Sequence, residues 1–178
     1  MSVYTKGGDK GKTDLIGKRV SKDDIRIEIN GLIDEVLTEL AFLIYDINNE
    51  NQLSIYIEEL NYIYKLLFNI QSIIADLNNI IGLSINENDV KELENKIDYY
   101  DSDLPKLTHF ITYIGHPTAM QGQKVRAKIR TIERRIIELN HQEEVNSNIL
   151  SYINRLSDYF YILSRKINCI YNIQEKRI

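Results

Sequence analysis

Six basic side chains, Lys124, Arg126, Lys128, Arg130, Arg134 and Arg135, fall within residues 117–135 against one acidic residue, Glu133. If this stretch is a helix, Arg126, Arg130, Glu133 and Arg134 stand at i, i+4, i+7 and i+8, which is one face. Val125, Ile129, Ile132 and Ile136 mark a second, apolar face at helical spacing. A guanidinium is a rigid planar fork of donors that matches phosphate and carboxylate oxygens. Alone, such a stretch reads most simply as a solvated charged face with i,i+4 support.

A second basic stretch changes that weighing. Residues 1–22 hold Lys6, Lys10, Lys12, Lys18, Arg19 and Lys22 against Asp9 and Asp14, and four of the chain's eight glycines. Glycine lets successive backbone amides converge on one anion, with neighbouring lysines as point charges. Gly11-Lys12-Thr13 invites comparison with a P-loop. That motif requires a glycine where Lys6 stands, a preceding apolar strand and a following helix, and the sequence offers none of the three. Glycine content alone favours a flexible N-terminal arm. The net charge is −4, so the two basic stretches sit in an otherwise acidic chain. That distribution suits a compact polyanion better than a broad nucleic-acid surface, and no nucleic-acid partner is expected.

Other chemistries have little support. The single cysteine, Cys169, allows no intrachain disulfide and reads as a buried small residue on an apolar helical stripe. His109, His116 and His141 show no zinc-ligand spacing, so no protein metal site is expected. No apolar run is long enough to span a membrane and no signal-peptide core is present, so an intracellular, cytoplasmic chain with no membrane partner is expected.

Helices must position these groups. With eight Gly and two Pro in 178 residues, long helices and one domain over 1–178 are expected, with 1–22 as its arm. Ser21 or Asp24 caps a first helix running to about Ile47, with Asp34 next to core Ile33 at the edge of the seam. Leu53, Ile57, Leu60, Tyr64, Leu67, Ile74, Leu77 and Ile81 predict a second helix reaching Ile81, closed by Gly82. A shorter helix covers 87–100. An apolar link from Leu107 to Ile114 carries Phe110 and leads to Gly115-His116-Pro117, which opens the arginine helix. A last helix begins near Glu143, with Ile149, Ile153, Leu156, Phe160, Leu163, Ile167 and Ile170 inward and Asn154 beside that seam. Gln174 to Ile178 reads as a frayed end. Short connections favour an all-α, five-helix antiparallel bundle over an extended coiled coil.

Four ordered motifs resemble the PduO-type ATP:cob(I)alamin adenosyltransferases. They are Tyr4-Thr5-Lys6-Gly7-Gly8-Asp9-Lys10-Gly11 with Gly17 to Lys22; Asp24 to Glu35; Phe110 to Ile137, including Arg126-x3-Arg130-x2-Glu133-Arg134; and Asn154-Arg155-Leu156-Ser157-Asp158. The resemblance implies a homotrimer that binds ATP between subunits and transfers its 5′-deoxyadenosyl group to the cobalt of cob(I)alamin, releasing triphosphate. A non-catalytic trimer carrying ATP or corrinoid is the alternative. The resemblance also implies Mg2+ on the phosphates, a flavoprotein reductase and a B12-dependent acceptor enzyme as partners.

Carried over by position, Thr5, Lys6, Gly7, Gly8, Thr13 and Lys22 surround the phosphates, and Arg130, Glu133, Arg134 and Asn154 hold the nucleotide. Arg130 meets charge on the leaving triphosphate. Asp34 and Arg126 match a salt bridge across subunits. Phe110 matches the aromatic that keeps the corrinoid's lower face free of its base. Tyr113-Ile114-Gly115, Gln123, Thr131 and Val36-Leu37-Thr38 depart from the family's usual residues, mainly on the corrinoid side.

Overall fold

The computed structural model describes residues 6–178; Thr5 lies outside them. Two strands, β1 (Lys12–Leu15) and β2 (Lys18–Ser21), precede helices α1 (Ile25–Asn48), α2 (Ile57–Ala75), α3 (Glu87–Ser102), α4 (Pro117–Asn140) and α5 (Ser147–Ile170). A 3-10 turn, Asn51–Tyr56, leads into α2. The five-helix bundle is the one the apolar periodicity predicts. The helix starts follow local chemistry. Asp24 caps α1 by accepting from the Arg26 amide at 2.9 Å, and Asn86 with Asp89 forms a capping box on α3. Pro117 occupies the first turn of α4, where a missing N–H costs nothing.

Side-chain pairs reveal helix direction. Lys124 meets Glu39 at 2.8 Å, Lys128 meets Glu35 at 2.6 Å and Arg135 meets Glu28 at 2.9 Å, so α1 and α4 run antiparallel. Glu133 with Asn154 at one end and Gly122 against Ser164 at the other make α4 and α5 antiparallel as well. Along α3 and α5 the partners advance together, Glu94 with Arg155 and then Asp103 with Lys166, so these two run in the same direction. The apolar stripes of all five helices meet in one core that includes Ile33, Leu40, Leu67, Ile129, Leu156 and Phe160. One acid sits within it. Buried Glu59 of α2 accepts from Lys96 at 2.7 Å, from Tyr100 at 2.8 Å and from Tyr159. These hydrogen bonds satisfy a carboxylate that would otherwise be costly to bury.

Four sequence expectations are corrected. α2 ends at Ala75, not Ile81. Its last carbonyl accepts from Ile16 of the β1–β2 turn at 3.0 Å, and Asp76 then caps the reversal by accepting from the Ile81 amide at 2.6 Å. α5 starts at Ser147, because Asn146 caps it and Asn140 first accepts the Val145 amide at 2.9 Å. Gln174 to Ile178 is not frayed: this segment pairs with the loop that carries Phe110. Cys169 is exposed, not buried.

The described part of the glycine-rich arm, residues 6–22, is also more ordered than its composition suggests. β1 and β2 form an antiparallel hairpin, Leu15 and Val20 are buried, and Ile16 bridges to Asp76. Gly17 turns the hairpin at a φ of 81°, a conformation that favours glycine. A Cβ there would also lie 2.9 Å from the Asn78 amide nitrogen.

Candidate active site

The basic residues of α4 divide into two stripes with different fates. Lys124, Lys128 and Arg135 point to α1 and are neutralised by Glu39, Glu35 and Glu28. The hydrogen bond from Lys124 holds Glu39 below the ordinary carboxylate range against a smaller opposing effect of burial, and the bond to Glu35 raises the Lys128 pKa. Arg126, Arg130 and Arg134 form the other stripe, and none of them has a carboxylate partner among the described residues. Arg130 is exposed, and Arg134 donates only to the Thr131 hydroxyl at 3.1 Å. Helical spacing thus puts three uncompensated guanidinium groups in a row, an arrangement suited to an anion supplied from outside the chain.

Beside this row, Asn154 of α5 donates to Glu133 of α4 at 2.7 Å. The pair borders a cavity of about 200 Å³ lined by Glu133, Ile136, Ile137, Leu150 and Ile153. The sequence reading missed Ile137 and Leu150. Ile137 lies outside the core stripe of α4, and only its exposure next to an apolar hollow marks it. Arg126 stands apart from the other two arginines. Its guanidinium lies 5.3 Å from the Tyr113 ring centroid and 5.4 Å from that of Tyr161, and it reaches the Gln123 oxygen at 3.5 Å. Neither tyrosine follows from local spacing.

In the arm, Arg19 pairs with Asp14 at 2.9 Å and donates to the Gly7 carbonyl. Lys6, Lys10, Lys12, Lys18 and Lys22 make no ion pair among the described residues. The Lys22 amine comes within 3.2 Å of where a Cβ on Gly8 would stand, so a side chain at Gly8 would displace it. Gly8 accepts from the Gly11 amide at 3.2 Å and Gly11 accepts from the Lys22 amide at 2.9 Å. The Lys22 amine thus lies close over Gly8, and Thr13 pairs with Val20 across the hairpin.

Asp34 lies on the α2 side of α1, where it accepts from Gln71 at 2.5 Å. Arg126 lies on the α5 side of α4 beside Tyr161. Within one chain the two do not pair. Phe110 projects from the loop between α3 and α4 and is 87% exposed. Tyr113, Ile114 and Met120 are exposed around it, which makes an apolar surface at the start of α4. At the foot of that loop, Gly115 passes so close to Asn168 that a Cβ would sit 2.3 Å from its side-chain oxygen, so a larger residue there would push Asn168 off the His116 amide.

The family model described as cobalamin adenosyltransferase matches residues 3–167. The chain belongs to the cobalamin adenosyltransferase family. Among its relatives, the corrinoid adenosyltransferase of Bacillus subtilis (strain 168) is 34% identical over 94% of this chain and 87% of its own length. Two solved structures of the PduO-type ATP:corrinoid adenosyltransferase from Lactobacillus reuteri share the fold of this family member. A phenylalanine-to-alanine variant complexed with cobalamin and ATP superposes with a TM-score of 0.91 at 30% identity, covering 99% of both chains. An arginine-to-lysine variant complexed with ATP gives 0.92 at 32%, again with 99% of each chain covered. This adenosyltransferase has no helix long and apolar enough to cross a membrane among its described residues.

Proposed function

We propose that this adenosyltransferase moves the 5′-deoxyadenosyl group of ATP to the cobalt of cob(I)alamin. The electron pair of Co(I) forms the cobalt–carbon bond as the C5′–oxygen bond breaks. Cobalt is formally oxidised to Co(III), and triphosphate leaves with the bonding pair. The hard nucleophile belongs to the substrate, so the protein's task is to bind, orient and neutralise charge. The observation that carries this reading is that Arg130 and Arg134 have no carboxylate partner among the described residues, while Lys124, Lys128 and Arg135 of the same helix each have one.

Arg130 meets the charge that grows on the departing triphosphate, and a preorganised donor there favours the transition state over the ground state. Thr5, Lys6, Gly7, Gly8, Thr13 and Lys22 hold the phosphates, with Lys22 and the backbone amides as donors. Glu133, Arg134 and Asn154 hold the nucleoside, and the apolar hollow at Ile137 and Leu150 receives the flat base. Among the described residues no group of three or more His, Cys, Asp or Glu stands together to cage a metal. Mg2+ would ride on the phosphates with few protein ligands and would supply further neutralising charge there.

The working unit is a homotrimer in the cytoplasm, folded from a single domain, 1–178, with 1–22 as the phosphate arm. The opposite placement of Asp34 and Arg126 within one chain supports pairing between chains. Exposed Phe110 supports a role at the corrinoid's lower face. A flavoprotein reductase supplies the low-valent cobalt, and a B12-dependent enzyme accepts the product. The test is anaerobic incubation with ATP, magnesium and chemically reduced cobalamin: adenosylcobalamin and triphosphate appear in equal amounts. ATP and corrinoid binding without a cobalt–carbon bond would instead make the protein a carrier.

A further inference from the structure

α5 does not simply end at Ile170. Asn172 adopts a left-handed φ of 55°, its amide donates to the Cys169 carbonyl at 3.0 Å, and the Ile173 amide donates to the Asn168 carbonyl at 2.9 Å. This is a Schellman closure, and it turns the chain back along the bundle. The returning segment then lies antiparallel to the Phe110 loop. The Thr112 amide donates to the Lys176 carbonyl at 2.8 Å, the Ile178 amide donates to the Phe110 carbonyl at 3.1 Å, and Ile111 bridges Arg177.

One buried side chain locks that arrangement. Arg165 has only 2% of its side chain exposed. It donates to both oxygens of Glu175, at 2.8 and 3.1 Å, and to the Pro105 carbonyl at 2.7 Å. Asp101 adds a longer contact at 3.6 Å. A bidentate pair on a buried guanidinium is strongly directional, and losing Glu175 leaves the Arg165 charge with only the longer contact to Asp101. The far end of the loop is held from α5 too. Asn168 accepts the His116 amide at 2.8 Å, and the His116 ring stacks on Tyr171 at 4.1 Å. Phe110 therefore stands with its ring in solvent and its backbone clamped on both sides.

We infer that Arg165 and Glu175 are positioning residues for the corrinoid side of the reaction: through the 176–178 segment they fix the height of the Phe110 ring beneath the cobalt. The inference rests on the adenosyltransferase reading. An aromatic on an unclamped loop would have to be ordered anew at each binding event, which weakens binding of the corrinoid that needs it. The clamp removes that cost before the corrinoid arrives. Nucleotide binding is served by other elements and stays independent of the clamp.

The test compares the wild type with Glu175→Gln and with a chain ending at Glu175, which keeps the ion pair but loses both backbone bonds to the loop. Each is saturated with ATP, loaded with cob(II)alamin and read by electron paramagnetic resonance for the species lacking its lower base; KM is then measured for ATP and for cob(I)alamin. Both variants should lose most of the base-free signal and raise KM for cob(I)alamin by about tenfold, with KM for ATP unchanged within about twofold. Glu175→Asp should recover part of the signal. A wild-type signal retained in both variants overturns the inference. So does a loss that falls equally on ATP and corrinoid and tracks melting temperature, since that is a structural role. The spectroscopic arm needs no turnover, so a wild type with the signal but no product removes the transfer reaction and leaves the clamp standing.

Discussion

Asn154 of α5 donates its amide to the Glu133 carboxylate of α4 across 2.7 Å, at the rim of the apolar hollow lined by Ile137 and Leu150. Both side chains are half-buried. The contact links α4 to α5 and leaves the Glu133 carboxylate, with Asn154 bound to it, in the lining of that hollow.

Asn154→Ala should therefore weaken ATP binding about tenfold, equivalent to about 1.4 kcal/mol. KM for the corrinoid should barely move. Calorimetric titration with ATP beside corrinoid kinetics checks this, and equal losses for both ligands would make the contact purely structural.

Arg130 tests the arginine row itself. It is exposed, and no hydrogen bond or ion pair holds it among the described residues, so truncation removes nothing from the core. Arg130→Ala should lower kcat by about 10²- to 10³-fold, as loss of one preorganised donor does. Stability should shift by no more than about 0.5 kcal/mol. Single-turnover kinetics together with thermal melts separate the two effects; parallel loss of activity and stability would reassign Arg130 to folding.

Asp34 accepts from Gln71 on one side of the seam, while Arg126 lies over Tyr113 and Tyr161 on the other. Asp34→Asn should loosen subunit assembly and corrinoid handling while ATP affinity stays within about twofold, because only the charge across the interface is lost. Sedimentation velocity and corrinoid KM are the readouts. A change confined to ATP affinity would contradict the interchain pairing.

The core makes a prediction about alkaline pH. Burial, and then the nearby charge of Glu59, push the Tyr56 phenol up to about 12. The hydrogen bond to Asp89, then burial, does the same for Tyr62. Tyr100 and Tyr159, both buried and bonded to Glu59, are also raised. Raised folded-state values mean that the stabilisation is intact below the ordinary tyrosine pKa, near 10, and is lost as pH climbs from there through 12. Melting temperature should be flat to about pH 9 and fall steeply above about 10. The share of the tyrosinate absorbance that comes from buried Tyr56, Tyr100 and Tyr159 should appear together with unfolding, not before it.

What could be read from the sequence follows from where each signal resides. Asp24, by its side-chain carboxylate, and Pro117, by its missing N–H, mark helix starts locally, and both starts hold. The apolar stripe of α4 and the arginine row come from a single helical period. The end of α2 was not legible, because Leu77, Ile80 and Ile81 continue the apolar pattern while the Ile16 amide claims the Ala75 carbonyl. The order of residues 174–178 depends on Arg165 and on a loop about 60 residues upstream, which no local pattern encodes. The division of the α4 cations into paired and unpaired stripes likewise needed the register of α1. Spacing alone gives all of them similar standing.

In the proposed trimer the glycine-lysine arm of one protomer and the arginine row of its neighbour close on the same triphosphate. Mixing two inactive variants tests it most directly: Lys22→Ala, which impairs the arm, and Arg130→Ala, which impairs the row. After dissociation and reassembly at equal amounts, about a quarter of the sites in a symmetric ring combine an intact arm with an intact row. Adenosylation should return to about that fraction of wild-type activity. Activity that stays at the level of either variant alone would mean that arm and row serve the nucleotide from within one chain, contradicting the account.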